Sequence, residues 1–131
     1  MLILNETEAE SLTGIPVSDG SKAIQASAQL IDGGVGKVVL TLGNKGSVFT
    51  DSNGTVIQVP AFDVQAVDTT AAGDTFIGVL AATTGSKEIS EETLRFASAA
   101  AAIKITRKGA LDGIPNKSEI EAFLTVATSK S

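Results

Sequence analysis

The run Lys-Val-Val-Leu-Thr-Leu at 37–42 constrains this chain more than any other feature. It is β-branched and apolar at nearly every position, so as a strand it shows hydrophobic side chains to both faces of a sheet, and both faces have to be covered. Leu2-Ile3-Leu4 reads as a further buried strand. Two helices lie between them in the sequence. One spans 7–13 and stops at Gly14; a longer one is capped near Ser18 or Asp19, carries Ile24, Ala28 and Ile31 at helical spacing, and ends at Gly33-Gly34. A layered α/β fold is the expected result. With 131 residues, 43% of them hydrophobic, one domain around a single core is predicted. Thirteen glycines against five phenylalanines point to close packing by small side chains.

The remainder of the chain reads in the same terms. Residues 43–46 form a turn, 47–50 resume as a strand, and Asn53-Gly54 signals a hairpin that returns 55–59 antiparallel. After Pro60 an extended stretch to Val67 leads into a small-residue loop, followed by a helix to about Thr83. Ser90 caps a second long helix to about Ile105, rich in alanine over 97–102. Asn116 and Glu119 have the spacing of a capping box for a last helix, with Ile120, Phe123 and Leu124 as its buried stripe. The tail 128–131 is expected to be disordered. The abrupt opening on Leu2-Ile3-Leu4 reads as a chain cut inside a larger fold.

Composition removes several kinds of chemistry. There is no cysteine and no histidine, so disulfides, thiolate metal sites and the usual general base are excluded, and acid–base work falls to carboxylates or lysines. Ten basic and fifteen acidic residues give a net charge of −5, against attraction to nucleic acid or an anionic membrane. The lack of tryptophan and tyrosine removes stacking platforms for single strands. No apolar run approaches the roughly eighteen residues of a membrane span, and Met1-Leu2-Ile3-Leu4 is too short and uncharged for a signal peptide; a cytoplasmic protein is expected.

The chemistry concentrates at 68–75. A loop of small residues opening a helix presents unpaired backbone N–H groups at the positive end of the helix dipole, which suits phosphate. Ala71, Ala72 and Gly73 let an anion approach the backbone, and Asp74 places a carboxylate beside it. A carboxylate there repels phosphate unless it takes a proton from an incoming hydroxyl, the pairing that phosphoryl transfer uses. Spacing alone leaves equally open that Asp74 is an ordinary first-turn acid. Likewise Asn5 and Glu8 read by themselves as a helix cap with an exposed glutamate, and 41–46 as a strand-to-strand turn.

Asp68-Thr69-Thr70-Ala71-Ala72-Gly73-Asp74-Thr75-Phe76 resembles the signature of the ribokinase-like (PfkB) carbohydrate kinases, Asp-Thr-x-Gly/Ala-Ala-Gly-Asp-x-Phe. Asn5-Glu6-Thr7-Glu8, Thr41-Leu42-Gly43-Asn44-Lys45-Gly46 and Thr106-Arg107-Lys108-Gly109 agree with the family in order and rough spacing. The resemblance implies the C-terminal, ATP-binding part of a three-layer Rossmann-like fold across 1–131, with a hairpin near 47–59. It implies Asp74 as catalytic base touching the sugar, and Ala71, Ala72 and Gly73 as the anion hole. Asn5, Thr41, Leu42, Gly43, Asn44, Lys45, Gly46, Gly73, Asp74 and Ser98 would bind ATP, with Lys45 adding positive charge and Glu8 organising Mg²⁺ indirectly. A K⁺ activator would sit among Asp68, Thr70, Lys104, Arg107, Gly109 and Gly113, largely on backbone carbonyls, with the Lys104 ammonium directed to water.

Transfer of the γ-phosphate of ATP to a hydroxyl of ribose is the implied reaction. Fructose, a nucleoside or a vitamin precursor as acceptor, or a non-catalytic nucleotide-binding module, are the alternatives. The family's sugar pocket and the lid through which it dimerises have no counterpart in the sequence, so the chain alone is expected to be inactive.

Overall fold

Four strands form one sheet in chain order: β1 (Leu2–Asn5), β2 (Lys37–Thr41), β3 (Ser47–Asp51) and β4 (Val56–Val59). β1 and β2 are parallel, pairing Leu4 with Leu40 and Asn5 with Thr41; β2–β3 and β3–β4 are antiparallel. The computed structural model describes residues 1–69, 72–84, 88–107 and 115–127. It divides into two compact units, Met1–Pro60 and Ala61–Ser131, where composition predicts one core. The disorder expected of 128–131 lies outside the described residues.

In the first unit, Val38, Val39 and Leu40 are all fully buried, so β2 is covered on both faces as its sequence requires. Between β1 and β2 run α1 (Glu6–Thr13) and α2 (Gly20–Asp32), the crossover that a parallel pair needs. α2 packs against β2 and β3, and α1 against β1. α1 ends because Gly14 takes a left-handed conformation, φ 73°, and returns its N–H to the Glu10 carbonyl. Asp19 starts α2 by accepting the Lys22 amide at 2.9 Å.

The buried stripe of α2 differs from the expected one. Ala23, Ala26 and Ser27 are buried, Ile24 and Ile31 are partly buried at its flank, and Ala28 is exposed. Small residues let the helix backbone come close to the sheet, and the larger isoleucines fill the margins. Ser27 can be buried because its hydroxyl donates to the Ala23 carbonyl at 2.8 Å.

The hairpin forms where Asn53-Gly54 predicts it. Asp51 accepts the amides of Asn53 and Thr55 at 2.9 and 3.0 Å, and Gly54 supplies the positive φ of 85°.

The second unit contains α3 (Ala72–Thr84), α4 (Glu91–Ile105) and α5 (Lys117–Val126), with α4 packed against both others. Ser90 and Asn116 cap α4 and α5, each in a reciprocal capping box. Ala99, Ala100, Ala102 and Ile103 of α4 pack with Phe62 and Ile120, and Phe62 meets Phe123 edge to face at 5.2 Å. The alanines allow α4 this close approach. Ile120 is buried and Phe123 and Leu124 are partly buried, as the sequence predicts for α5. Among the described residues no helix is long and apolar enough to cross a membrane.

Leu40 is fully enclosed at the centre of the first core. Leu40→Ala should therefore destabilise the protein by about 2–5 kcal/mol, read from the midpoint of urea unfolding. An effect as small as that of a surface substitution would place the core elsewhere.

Candidate functional site

In the first unit the expected nucleotide residues gather at the carboxyl ends of β1 and β2. Asn5, the last residue of β1, is paired with Thr41, the last of β2. Thr41 runs directly into a turn built on a short 3₁₀ segment, Gly43–Lys45. The turn closes on itself: Leu42 N–H donates to Gly46 at 2.7 Å, Lys45 N–H to Leu42 at 3.0 Å, and Gly46 N–H to Gly43 at 3.2 Å. Within this turn the backbone amides not taken by these three bonds are those of Gly43 and Asn44. Gly46, at φ 101° and ψ −144°, occupies a conformation that requires glycine. A side-chain carbon on Gly43 would come within 3.6 Å of Glu6 Oε1, so the turn lies beside the start of α1. In open α/β sheets the carboxyl ends of strands are where ligands bind.

Asn5 and Glu8 face each other as a capping box. Asn5 Oδ1 accepts the Glu8 amide at 2.8 Å, and Glu8 Oε1 accepts the Asn5 amide at 3.0 Å. The cap reading of these residues thus holds in the structure, and it leaves Glu8 Oε2 as the carboxylate oxygen not engaged by the box. Among the described residues no group of three acidic, histidine or cysteine side chains could cage a metal. A Mg²⁺ ion carried by nucleotide phosphates needs only one or two carboxylates, often through water, and the exposed Glu8 fits that lighter demand. Lys45 Nζ donates to the Ser18 carbonyl just before α2, which ties the turn to that corner.

In the second unit the Thr69 carbonyl accepts the Ala72 amide at 3.2 Å at the entry to α3. Ala72 is half-buried and Gly73 exposed; Ala71 lies outside the described residues. A carbon added to Gly73 would meet nothing within 4 Å, so this glycine is not there to admit a neighbouring side chain. Asp74 is exposed in the first turn, whereas Phe76, Leu80 and Thr84 form the buried side of the helix. Its carboxylate therefore points away from the packed face. Ser98 is half-buried on α4, between the fully buried Ala97 and Ala99.

Of the six residues expected around K⁺, Asp68, Lys104 and Arg107 are described, and Thr70, Gly109 and Gly113 are not. The three do converge. The Ile105 carbonyl accepts the amides of Val67 and Asp68 at 2.6 and 3.0 Å, which pins the approach to the loop onto the end of α4. The environment of Lys104 contradicts the expectation that its ammonium reaches water, for the whole side chain is buried, with no exposed surface. Alanines on α4 let neighbouring elements close over this helix, and position 104 lies on the covered side.

Arg107 is held by Glu119 of α5. Glu119 had been legible only as a cap; its second role needs α4 and α5 side by side. The Arg107 hydrogen bond, then the Asn116 amide, and the Arg107 charge hold the Glu119 carboxyl below its ordinary value of 4.5, with burial opposing them. A group lowered on folding contributes stability that is complete above its unfolded value and is lost as pH falls through the folded one. Native protein and Glu119→Gln, unfolded by urea across the acid range, should thus differ most above pH 4.5 and converge below it. A constant gap at all pH values would assign the difference to packing.

A family profile described as pfkB family carbohydrate kinase matches residues 1–117. The ribokinase of Haemophilus influenzae is 46% identical over 120 residues, covering 92% of this chain and 39% of that protein. The structure of Arabidopsis thaliana ribokinase complexed with ribose and ATP superposes with a TM-score of 0.86 at 37% identity, covering 94% of this chain and 40% of that one. An E. coli chain described as a ribokinase II, in complex with ATP and Mg²⁺, gives 0.79 at 30% identity, covering 95% and 39%. The α/β architecture is thus that of ribokinases, and the chain spans about two-fifths of the length of these relatives.

Proposed function

The chain belongs to the pfkB family of carbohydrate kinases, and on that premise we propose that its residues carry the nucleotide-binding and proton-abstracting half of an ATP-dependent sugar kinase. Ribose is the acceptor the relatives favour. The observation that carries this reading is Asp74: an exposed carboxylate in the first turn of α3, directly after an exposed glycine with open space around it.

Asp74 accepts the proton of the sugar hydroxyl as that oxygen attacks the γ-phosphorus of ATP. The bond from phosphorus to the bridging oxygen breaks, and ADP leaves with that electron pair. Backbone amides at Ala71, Ala72 and Gly73, with the dipole of α3, stabilise negative charge on the phosphoryl group in transfer. The Ala72 amide already serves the Thr69 carbonyl, so Gly73 is the stronger donor of those two. Asn5 and the turn at 41–46 hold the nucleotide through Gly43 and Asn44. Glu8, with one oxygen outside the capping box, would help hold Mg²⁺ beside the nucleotide phosphates, and the ion would offset phosphate charge. Ser98 contributes to the adenine side. The residues that choose the acceptor belong to parts of the relatives that this chain does not span.

ATP titrated into the chain by calorimetry should bind weakly and saturably. Catalysis is testable by grafting this sequence in place of the matching segment of the Haemophilus influenzae enzyme, to which it is 46% identical. Asp74→Asn in that chimaera should lower kcat by about 10²–10⁴-fold and leave ATP affinity nearly unchanged. Parallel loss of binding and turnover would demote Asp74 to a structural acid.

A further inference from the structure

Lys45 stands in the turn proposed to hold the nucleotide, and its ammonium bonds away from that turn, to the Ser18 carbonyl just before α2. That carbonyl belongs to a braced corner. The adjacent Val17 is buried, and its amide is accepted by Glu10 Oε1 of α1 at 2.8 Å. On the other side Asp19 caps α2 by accepting the Lys22 amide at 2.9 Å, and a carbon built on Gly20 would stand 3.2 Å from Gln58 Nε2 of β4. Residues of α1, α2 and β4 thus meet at the place to which Lys45 is tied.

The turn itself is closed by backbone bonds among Leu42, Gly43, Lys45 and Gly46, and its two glycines make it easy to deform. Those bonds set its internal shape and leave its orientation to contacts outside it. The amides they do not use are those of Gly43 and Asn44, and a hydrogen bond to a nucleotide oxygen depends steeply on where an N–H points.

We propose that Lys45 is a positioning residue: it aims the Gly43 and Asn44 amides by holding the turn to the corner that Glu10 braces. Glu10, an α1 residue outside the proposed nucleotide contacts, thereby acts on the nucleotide at one remove. For its effect on ATP the inference rests on the nucleotide reading of the turn; the tie itself does not. A Lys45 ammonium that acted by touching phosphate would be indifferent to Glu10, so coupling between the two side chains separates these roles.

Lys45→Met, Glu10→Ala and the double variant are to be compared with the native chain by ATP titration and by hydrogen exchange of the Leu42 and Gly46 amides without nucleotide. Each single variant should weaken ATP binding by about threefold to tenfold, and the double variant by no more than the worse of the two. Glu10→Gln keeps an acceptor for the Val17 amide and should stay within about twofold of native. Exchange at Leu42 and Gly46 should quicken in both single variants. Losses that multiply in the double variant, a loss from Lys45→Met with none from a folded Glu10→Ala, or a loss in Glu10→Gln as large as in Glu10→Ala overturns the proposal. Should Glu10→Ala not fold, exchange in Lys45→Met decides: faster exchange at the two amides supports the tie, and unchanged exchange defeats it. If ATP binds to none of these proteins, the nucleotide reading of the turn fails, and amide exchange still decides whether Lys45 and Glu10 hold it.

Discussion

The Ile105 carbonyl oxygen accepts two backbone amides, those of Val67 and Asp68, and the placement of the chain that leads to α3 depends on it. Residues 63–69 belong to no helix or strand, and a stretch of that kind needs outside partners for its amides. By taking two consecutive amides, one oxygen at the end of α4 fixes where the chain stands one residue before Thr69, whose own carbonyl closes onto Ala72. The start of α3, and with it Gly73 and Asp74, is thereby referred to α4. α4 can take this part because its alanines pack closely and Ser90 gives it a firm start.

Caps and the residues expected at the site overlap in both units. The Asn5–Glu8 box starts α1, and the same residues stand at the carboxyl ends of the parallel strands. The Asn116–Glu119 box starts α5, and Glu119 also holds Arg107. Each overlap limits what remains for a ligand: one oxygen of Glu8 is committed to the Asn5 amide, and both oxygens of Glu119 are engaged. A cap also immobilises its residues, which lowers the entropy to be lost when a ligand is held.

Lys104 shows how burial alters the meaning of a residue. On a surface, a lysine beside carbonyl ligands would turn its charge into water and leave the carbonyls free. Enclosed, the side chain has no such route to water. The side chain that distinguishes the two cases is the same; only its surroundings differ.

What the sequence determined by itself is local. The Gly14 stop, the Asp19, Ser90 and Asn116 caps, the Asn53-Gly54 hairpin and the two-faced strand β2 were all legible, because each depends on hydrogen bonds or periodicity within a few residues. The resemblance at 68–76 singles out Asp74 as the expected base, and the structure leaves that residue exposed in the first turn of α3. Tertiary structure decided which side of α2 is buried, the tie from Lys45 to Ser18, the pairing of Arg107 with Glu119, the double role of the Ile105 carbonyl and the enclosure of Lys104. Those depend on residues many positions apart, and propensity and spacing carry no information about which distant backbone oxygen or packed face a side chain will meet.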